Sequence, residues 1–158
     1  MKINIPLLAL ALGAFGIGVT EFSPMGMLPI IAEDLAVSIP TAGMLISAYA
    51  FGVLIGAPFM TLVFANMSRR NLLLLSMGIF TLGNLISAMA DSYNLLLFGR
   101  IVTSFNHGAF FGVGSVVAMS IVPPEKRAGA VAAMFSGLTI ATIGGVPLAA
   151  YIGEAIGW

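Results

Sequence analysis

The chain has no cysteine and a single histidine, His107. The first absence excludes disulfide frameworks, cysteine-based zinc sites and thiol nucleophiles. The second excludes an HExxH metal helix and leaves a Ser-His-Asp site without support. No catalytic residue, metal site or cofactor is therefore expected. Charge is scarce as well. Lys and Arg number six, Asp and Glu number six, and together they are 8% of 158 residues, against ~25% in a soluble chain. So few charges cannot cover a globule of this size in water. No basic patch exists for nucleic acid. The composition excludes a soluble enzyme, a disordered tail and a nucleic-acid binder.

What fills the sequence instead is apolar surface, at 59% of residues. A bilayer-spanning helix needs ~20 mostly apolar residues. Five such stretches are expected, over residues 6–31, 42–64, 71–90, 94–122 and 128–156. Apolar residues sit all round them, so these are not surface amphipathic helices. Runs such as Leu72 to Leu75 refuse the period-two alternation of barrel strands. The fold class is all-α, a polytopic membrane protein, with 1–158 read as one transmembrane unit. Pro6 suits a first helical turn. Asn94 is expected to cap the fourth helix, and Pro123-Pro124 to end it. Residues 33–40 read as a polar link. The first apolar run continues to about Ile31, well beyond the 7–15 residues of a signal-peptide core.

Orientation follows from the positive-inside rule. Lys2 precedes the first helix, Arg69 and Arg70 lie between the second and third, and Lys126 and Arg127 between the fourth and fifth. If five helices alternate, these share one side. The opposite loops hold Glu33, Asp34 and Asp91 and no cation. The expectation is a cytoplasmic N-terminus, with Trp158 at the outer interface.

Two ionisable residues of opposite sign fall deep inside the spans: Glu21 in the first and Arg100 in the fourth. A charge at mid-helix costs ~2.5–3.5 kcal/mol on insertion scales, so each needs a reason. Their depths agree within reach of the two side chains. One reading is a structural ion pair; another has Arg100 reaching the outer headgroups. The sharper reading is a substrate or proton site in a central cavity. Ser104 and His107 follow Arg100 at i+4 and i+7 and share its face, with Asn106 to one side. Ser136, Thr139 and Thr142 recur at three-residue spacing on the fifth helix, where hydroxyls often bond their own backbone. Small-residue stripes read as helix-packing devices: Ala48, Gly52 and Gly56; Gly108 and Gly112; Gly145, Ala149 and Gly153. Pro24, Pro29, Pro58 and Pro147 interrupt spans.

The segment from Gly18 through Glu21 and Pro24 to Pro29, and that from Arg100 through His107 to Gly112, carry a family likeness. The chain resembles the N-terminal part of a major facilitator superfamily transporter, in its drug- and sugar-efflux branch, near the arabinose-efflux-permease group. The helix-four motif of that family, an intramembrane Arg followed by Gly, maps onto Arg100. Its loop motif between helices two and three keeps the paired Arg69 and Arg70, while Thr61, Ala65 and Ser68 replace its Gly, Asp and Gly. Its helix-five antiporter motif appears loosely around Gly144, Gly145 and Pro147.

The resemblance implies five helices of an incomplete six-helix N-terminal bundle, within a twelve-helix whole. It implies a bacterial-type inner membrane location and a proton-coupled exporter of a small organic molecule, sugar or drug. Its partners would be the lipid bilayer, the substrate, protons and the missing C-terminal helices. Glu21, Arg100, Ser104, Asn106 and His107 would serve substrate or protons. Separation of Glu21 from Arg100 between two conformations would change the proton affinity of the carboxylate. Two alternatives remain: a non-transporting membrane module or truncated product, and an intramembrane enzyme.

Overall fold

The computed structural model describes residues 4–158. Lys2, assigned above to the cytoplasmic side, lies outside the described residues. Five helices are long and apolar enough to cross a membrane, and the described residues contain no strand. α1 runs Ile5–Asp34, α2 Ile39–Val63, α3 Arg69–Ala88 and α4 Tyr93–Ser120. The fifth span, Pro124–Ile156, is broken. A 3-10 turn, Pro124–Lys126, leads into α5, Arg127–Ile140; a π-helical turn, Ala141–Gly145, follows; α6, Val146–Ile156, completes it.

The helix ends follow local chemistry. Asn4 accepts from Leu7 N at 3.3 Å, and Pro6 occupies the first turn of α1. Ser38 accepts from Thr41 N at 3.2 Å, with Pro40 in the first turn of α2. Such caps satisfy backbone N–H groups that have no partner within the helix. The link expected at 33–40 is therefore shorter. α1 keeps its helix to Asp34, and Ala36 turns the chain in the left-handed region at φ 52°. Ser68 caps Asn71 N at 3.3 Å, so Arg69 and Arg70 open α3 and are not part of a loop.

One expectation about α4 needs correction. Ser92, not Asn94, is the cap residue, and it makes no side-chain cap bond. The helix stops at Ser120, just before the proline pair, and Pro124 starts the 3-10 turn. Pro147 accounts for the break in the fifth span. It has no N–H for the carbonyl four residues back, Ile143, which lies inside the π turn.

α4 packs mainly on α3 and α2, and α1 packs on the fifth span and on α2, meeting α4 over a smaller area. Close neighbours are met by small residues. Gly52 sits against Ser104, Gly56 against the backbone of Phe105, and Gly108 against Ala57. Gly145 meets Val19 and Phe15, and Gly153 meets Met27. Gly112 departs from the packing role expected of it: nothing lies within 4 Å of where its side chain would start. The closest approach of α1 and α5 is instead at Gly137, against the backbone of Ala11. Ala133, Gly137 and Ala141 form the small-residue repeat that carried this signal. Large apolar residues such as Leu54, Leu62, Leu74 and Ile143 are exposed on the outside, as a lipid-facing surface requires.

Candidate functional site

The site begins with a proline. In a helix each N–H bonds the carbonyl four residues back. Pro24 lacks that N–H, so the carbonyl of Thr20 is left without its helical partner. An unpaired carbonyl inside a bilayer costs several kcal/mol. Arg100 of α4 fills the gap. Its Nη1 donates to Thr20 O at 2.6 Å, and its Nη2 to Glu21 O at 3.4 Å. The guanidinium also lies 4.3 Å from the centre of the Tyr49 ring, contributed by α2, a cation–π arrangement. Arg100 is 4% exposed.

The ion pair considered between Glu21 and Arg100 is therefore not formed. Arg100 grips the main chain of α1, and the Glu21 carboxylate goes elsewhere. Glu21 Oε2 lies 3.5 Å from His107 Nδ1, and the same nitrogen is 3.4 Å from the Tyr49 hydroxyl. The pairing changed because α1 presents two acceptors at one level, a freed carbonyl and a carboxylate. The planar fork of Arg suits the backbone pair. His107, two turns further along the same face of α4, takes the carboxylate. Among the described residues no other ion pair joins two spans.

The other expected members scatter. Ser104 shares the face of Arg100 and His107, yet its hydroxyl donates to Ile101 O at 2.6 Å and packs on Gly52. It belongs to the α2–α4 contact. Asn106 is fully buried, and neither of its amide atoms has a hydrogen-bond partner. Ser136, Thr139 and Thr142 donate to Ala133 O, Phe135 O and Thr139 O. Their hydroxyls serve their own helix. Arg69 and Arg70 stand at the start of α3, far along the chain axis from Glu21, and Arg69 and Arg127 line one shallow groove.

Three contributors escaped the sequence reading. Tyr49 is 2% exposed and touches both Arg100 and His107. It lies on the stripe of Gly52 and Gly56, at i, i+3 and i+7, which was read only for packing. Phe111 and Phe135 stack at 5.1 Å between centroids, and Phe111 lies 4.9 Å from the His107 ring. A cavity of about 280 Å³ opens beside Arg100, which lines it together with Thr20, Ser23, Asn84, Ser87 and apolar neighbours. Thr20 donates to Asn84 Oδ1 at 3.2 Å along that wall.

Chemically, the arrangement brings a carboxylate and a phenol from two helices to one imidazole nitrogen on a third, with a guanidinium fixed behind them. It can bind and release a proton, and it can accept a ligand's donor groups. No cluster of metal-ligating side chains occurs among the described residues.

Residues 10–158 match the Major Facilitator Superfamily. The whole chain is 66% identical to the inner membrane transport protein YdhP of Escherichia coli K12, over 41% of that protein's length. It is 35% identical over 98% of its length to a Streptomyces lividans protein named chloramphenicol resistance protein, covering 39% of it. A Helicobacter pylori protein named a probable sugar efflux transporter is 32% identical over 94% of the chain, which covers 38% of it. The chain thus spans about two fifths of the length of these relatives.

Proposed function

The chain belongs to the major facilitator superfamily, and from that premise we propose that it is the N-terminal portion of a proton-coupled exporter of a small organic molecule. Its place is the bacterial inner membrane, with the N-terminus in the cytoplasm. The observation that carries the reading is the Glu21–His107 contact of 3.5 Å between two membrane-spanning helices. An ionisable pair inside hydrocarbon is costly and marks a pathway more often than a scaffold. Histidine changes charge near neutral pH and passes protons readily.

The second support is what Arg100 does. Arg100 bonds the α1 backbone and lies on the Tyr49 ring, so its hydrogen bonds stay in place whether or not Glu21 carries a proton. Arg100 ties α1 to α4 at Thr20, one residue from Glu21, and Pro24 interrupts the α1 ladder just beyond. Rocking of α1 about that point would open or close the Glu21–His107 contact, so proton binding and helix position become linked. Closing a cavity around substrate requires an opposing bundle, which the helices missing relative to the longer relatives would supply. The cations Arg69, Arg70, Lys126 and Arg127 fall at one end of the bundle and Glu33, Asp34 and Asp91 at the other, which favours the stated orientation.

Glu21→Gln in the full-length protein keeps the shape and removes the proton site. Expected are normal folding and loss of efflux driven by a pH gradient, leaving at most passive exchange. Thermal stability and gradient-driven efflux are measured on one preparation; normal pumping with unchanged pH dependence would refute the assignment. For topology, a reporter active only outside the cytoplasm should work when fused after Asp34 or Asp91 and fail after Arg70 or Lys126.

A further inference from the structure

Away from the helix ends, the threonines of the spans follow one habit, and Thr20 breaks it. Thr61, Thr81, Thr103, Thr139 and Thr142 each donate to a carbonyl three or four residues back in their own helix, a local way to satisfy a hydroxyl. The Thr20 hydroxyl crosses instead to α3 and donates to Asn84 Oδ1 at 3.2 Å. Asn84 is held ready for it. Its Nδ2 donates to Phe80 O, four residues back, at 2.8 Å, which fixes the amide and leaves Oδ1 to face α1. Among the described residues this is the only hydrogen bond between α1 and α3, and the two helices otherwise meet over a small area.

Thr20 is thereby held twice from one body. Arg100 of α4 takes its carbonyl, and Asn84 of α3 takes its hydroxyl. α3 and α4 are locked together, with Gly83 against the Thr103 backbone and Gly99 against Ser87, so the two ties share an anchor. Bonds from one side chain to one stretch of main chain let a helix swivel about that point. A second tie, in another direction, sets its rotation. Glu21 is the next residue, and its Oε2 meets His107 Nδ1 at 3.5 Å, beyond the usual hydrogen-bond range. Side-chain ends lie about 5–6 Å from a helix axis, so a turn of about 10° moves them about 1 Å, enough to make or break that contact. The cavity beside Thr20, Ser23, Asn84 and Ser87 leaves α1 room for such a turn.

We propose that Asn84 is a positioning residue of the proton site: it holds the Thr20 hydroxyl from α3, fixes the rotation of α1 and so sets how Glu21 meets His107. The proposal rests on the reading of Glu21 as a proton site and adds to it a residue that carries no charge itself. The ionisable groups around Glu21 are His107 and Arg100 on α4 and Tyr49 on α2. α3 carries only Arg69 and Arg70, at its start, and the fifth span none from Ala128 to Ala150. Asn84 does not titrate, so its effect on protonation passes through α1.

Infrared difference spectroscopy of the full-length protein in liposomes, titrated by pH, reads the carboxyl band that Glu21→Gln removes. Thr20→Val keeps the shape and the carbonyl bond and removes the hydroxyl; Asn84→Leu removes the acceptor. Each should move the midpoint of the Glu21 band by roughly half to one pH unit, in the same direction. The double variant should move it no further than either alone. Thr20→Ser, which retains the hydroxyl, should keep the wild-type midpoint. So should Thr81→Val, whose hydroxyl bonds its own helix at Met77 O. If Asn84→Leu folds poorly, Thr20→Val reads the same tie.

Lower thermal stability with an unmoved Glu21 midpoint makes the tie structural only and overturns the proposal. A shift of equal size in Thr81→Val overturns it as well, and so do shifts that add in the double variant. If no Glu21 band titrates across the range the protein tolerates, the proton site itself falls, and the positioning role with it. A midpoint that moves as expected, in a protein that fails the gradient-driven efflux measurement above, leaves Asn84 in its role and sinks only the exporter.

Discussion

α4 meets α2 and α1 by different means. Towards α2 it is met by glycine: Gly52 under Ser104, Gly56 under the Phe105 backbone, and its own Gly108 under Ala57. These glycine contacts hold no charged group and leave no room; this seam also has a polar part at Tyr49, against Arg100 and His107. Towards α1 it is met by polar groups, with Arg100 on Thr20 O and His107 on Glu21, and contacts of 2.6 to 3.5 Å across the seam. Close-packed small residues fix one distance between two helices. Hydrogen bonds and a titratable contact can be exchanged for others. The α2–α4 pair therefore behaves as one body, and the α1–α4 seam is where a change of proton state can be felt.

Breaking the rigid side should have the largest effect. Gly56→Val would drive a branched side chain into the Phe105 main chain, which lies 2.8 Å from the first added carbon. The expected loss is about 3 kcal/mol, at the upper end for overpacking, read as lower folding yield and lower thermal stability. On the other seam, Arg100→Met leaves the Thr20 carbonyl unpaired without stranding a lone carboxylate. The expected cost is about 1–3 kcal/mol, measured by thermal unfolding; a neutral outcome would mean that the carbonyl finds another donor. Tyr49→Phe keeps the ring under the guanidinium and removes only the hydroxyl near His107. It should cost about 0.5–1.5 kcal/mol and shift the pH profile of efflux, whereas a purely structural hydroxyl would leave that profile in place. Gly112→Ala should have the smallest effect, a gain of about 0.5–1 kcal/mol from helix propensity, because no neighbour opposes it. A loss there would place another helix against that face.

The contrast also separates what could be read in the sequence from what could not. Spans, their number and the two buried charges are one-dimensional facts: length, hydropathy and spacing along one helix decide them. The pairing of Glu21 with His107 is not. Arg100 had two acceptors on α1, and only the three-dimensional level of the Thr20 carbonyl decides which it takes. The clue was present in Pro24, four residues on, but it was read only as a kink. Tyr49 went unnoticed because a tyrosine among glycines on α2 looks like packing until the partner helix is in place. Ser104 misled in the opposite way, since sharing a face with Arg100 does not place a side chain in the same cavity.

The Thr20 carbonyl carries a consequence for how the protein is made. Its donor, Arg100, comes 80 residues later in the chain. At a synthesis rate of about 5–20 residues per second, α1 waits roughly 4–16 s for that donor. Throughout that interval the helix holds an open acceptor that hydrocarbon cannot satisfy. The first helix is thus incomplete as an inserted segment until the fourth is made, and assembly of the bundle is tied to the order of translation. Pro24→Ala would close the acceptor within α1 and let the first helix settle alone. The same change would leave Arg100 to arrive at a carbonyl already taken.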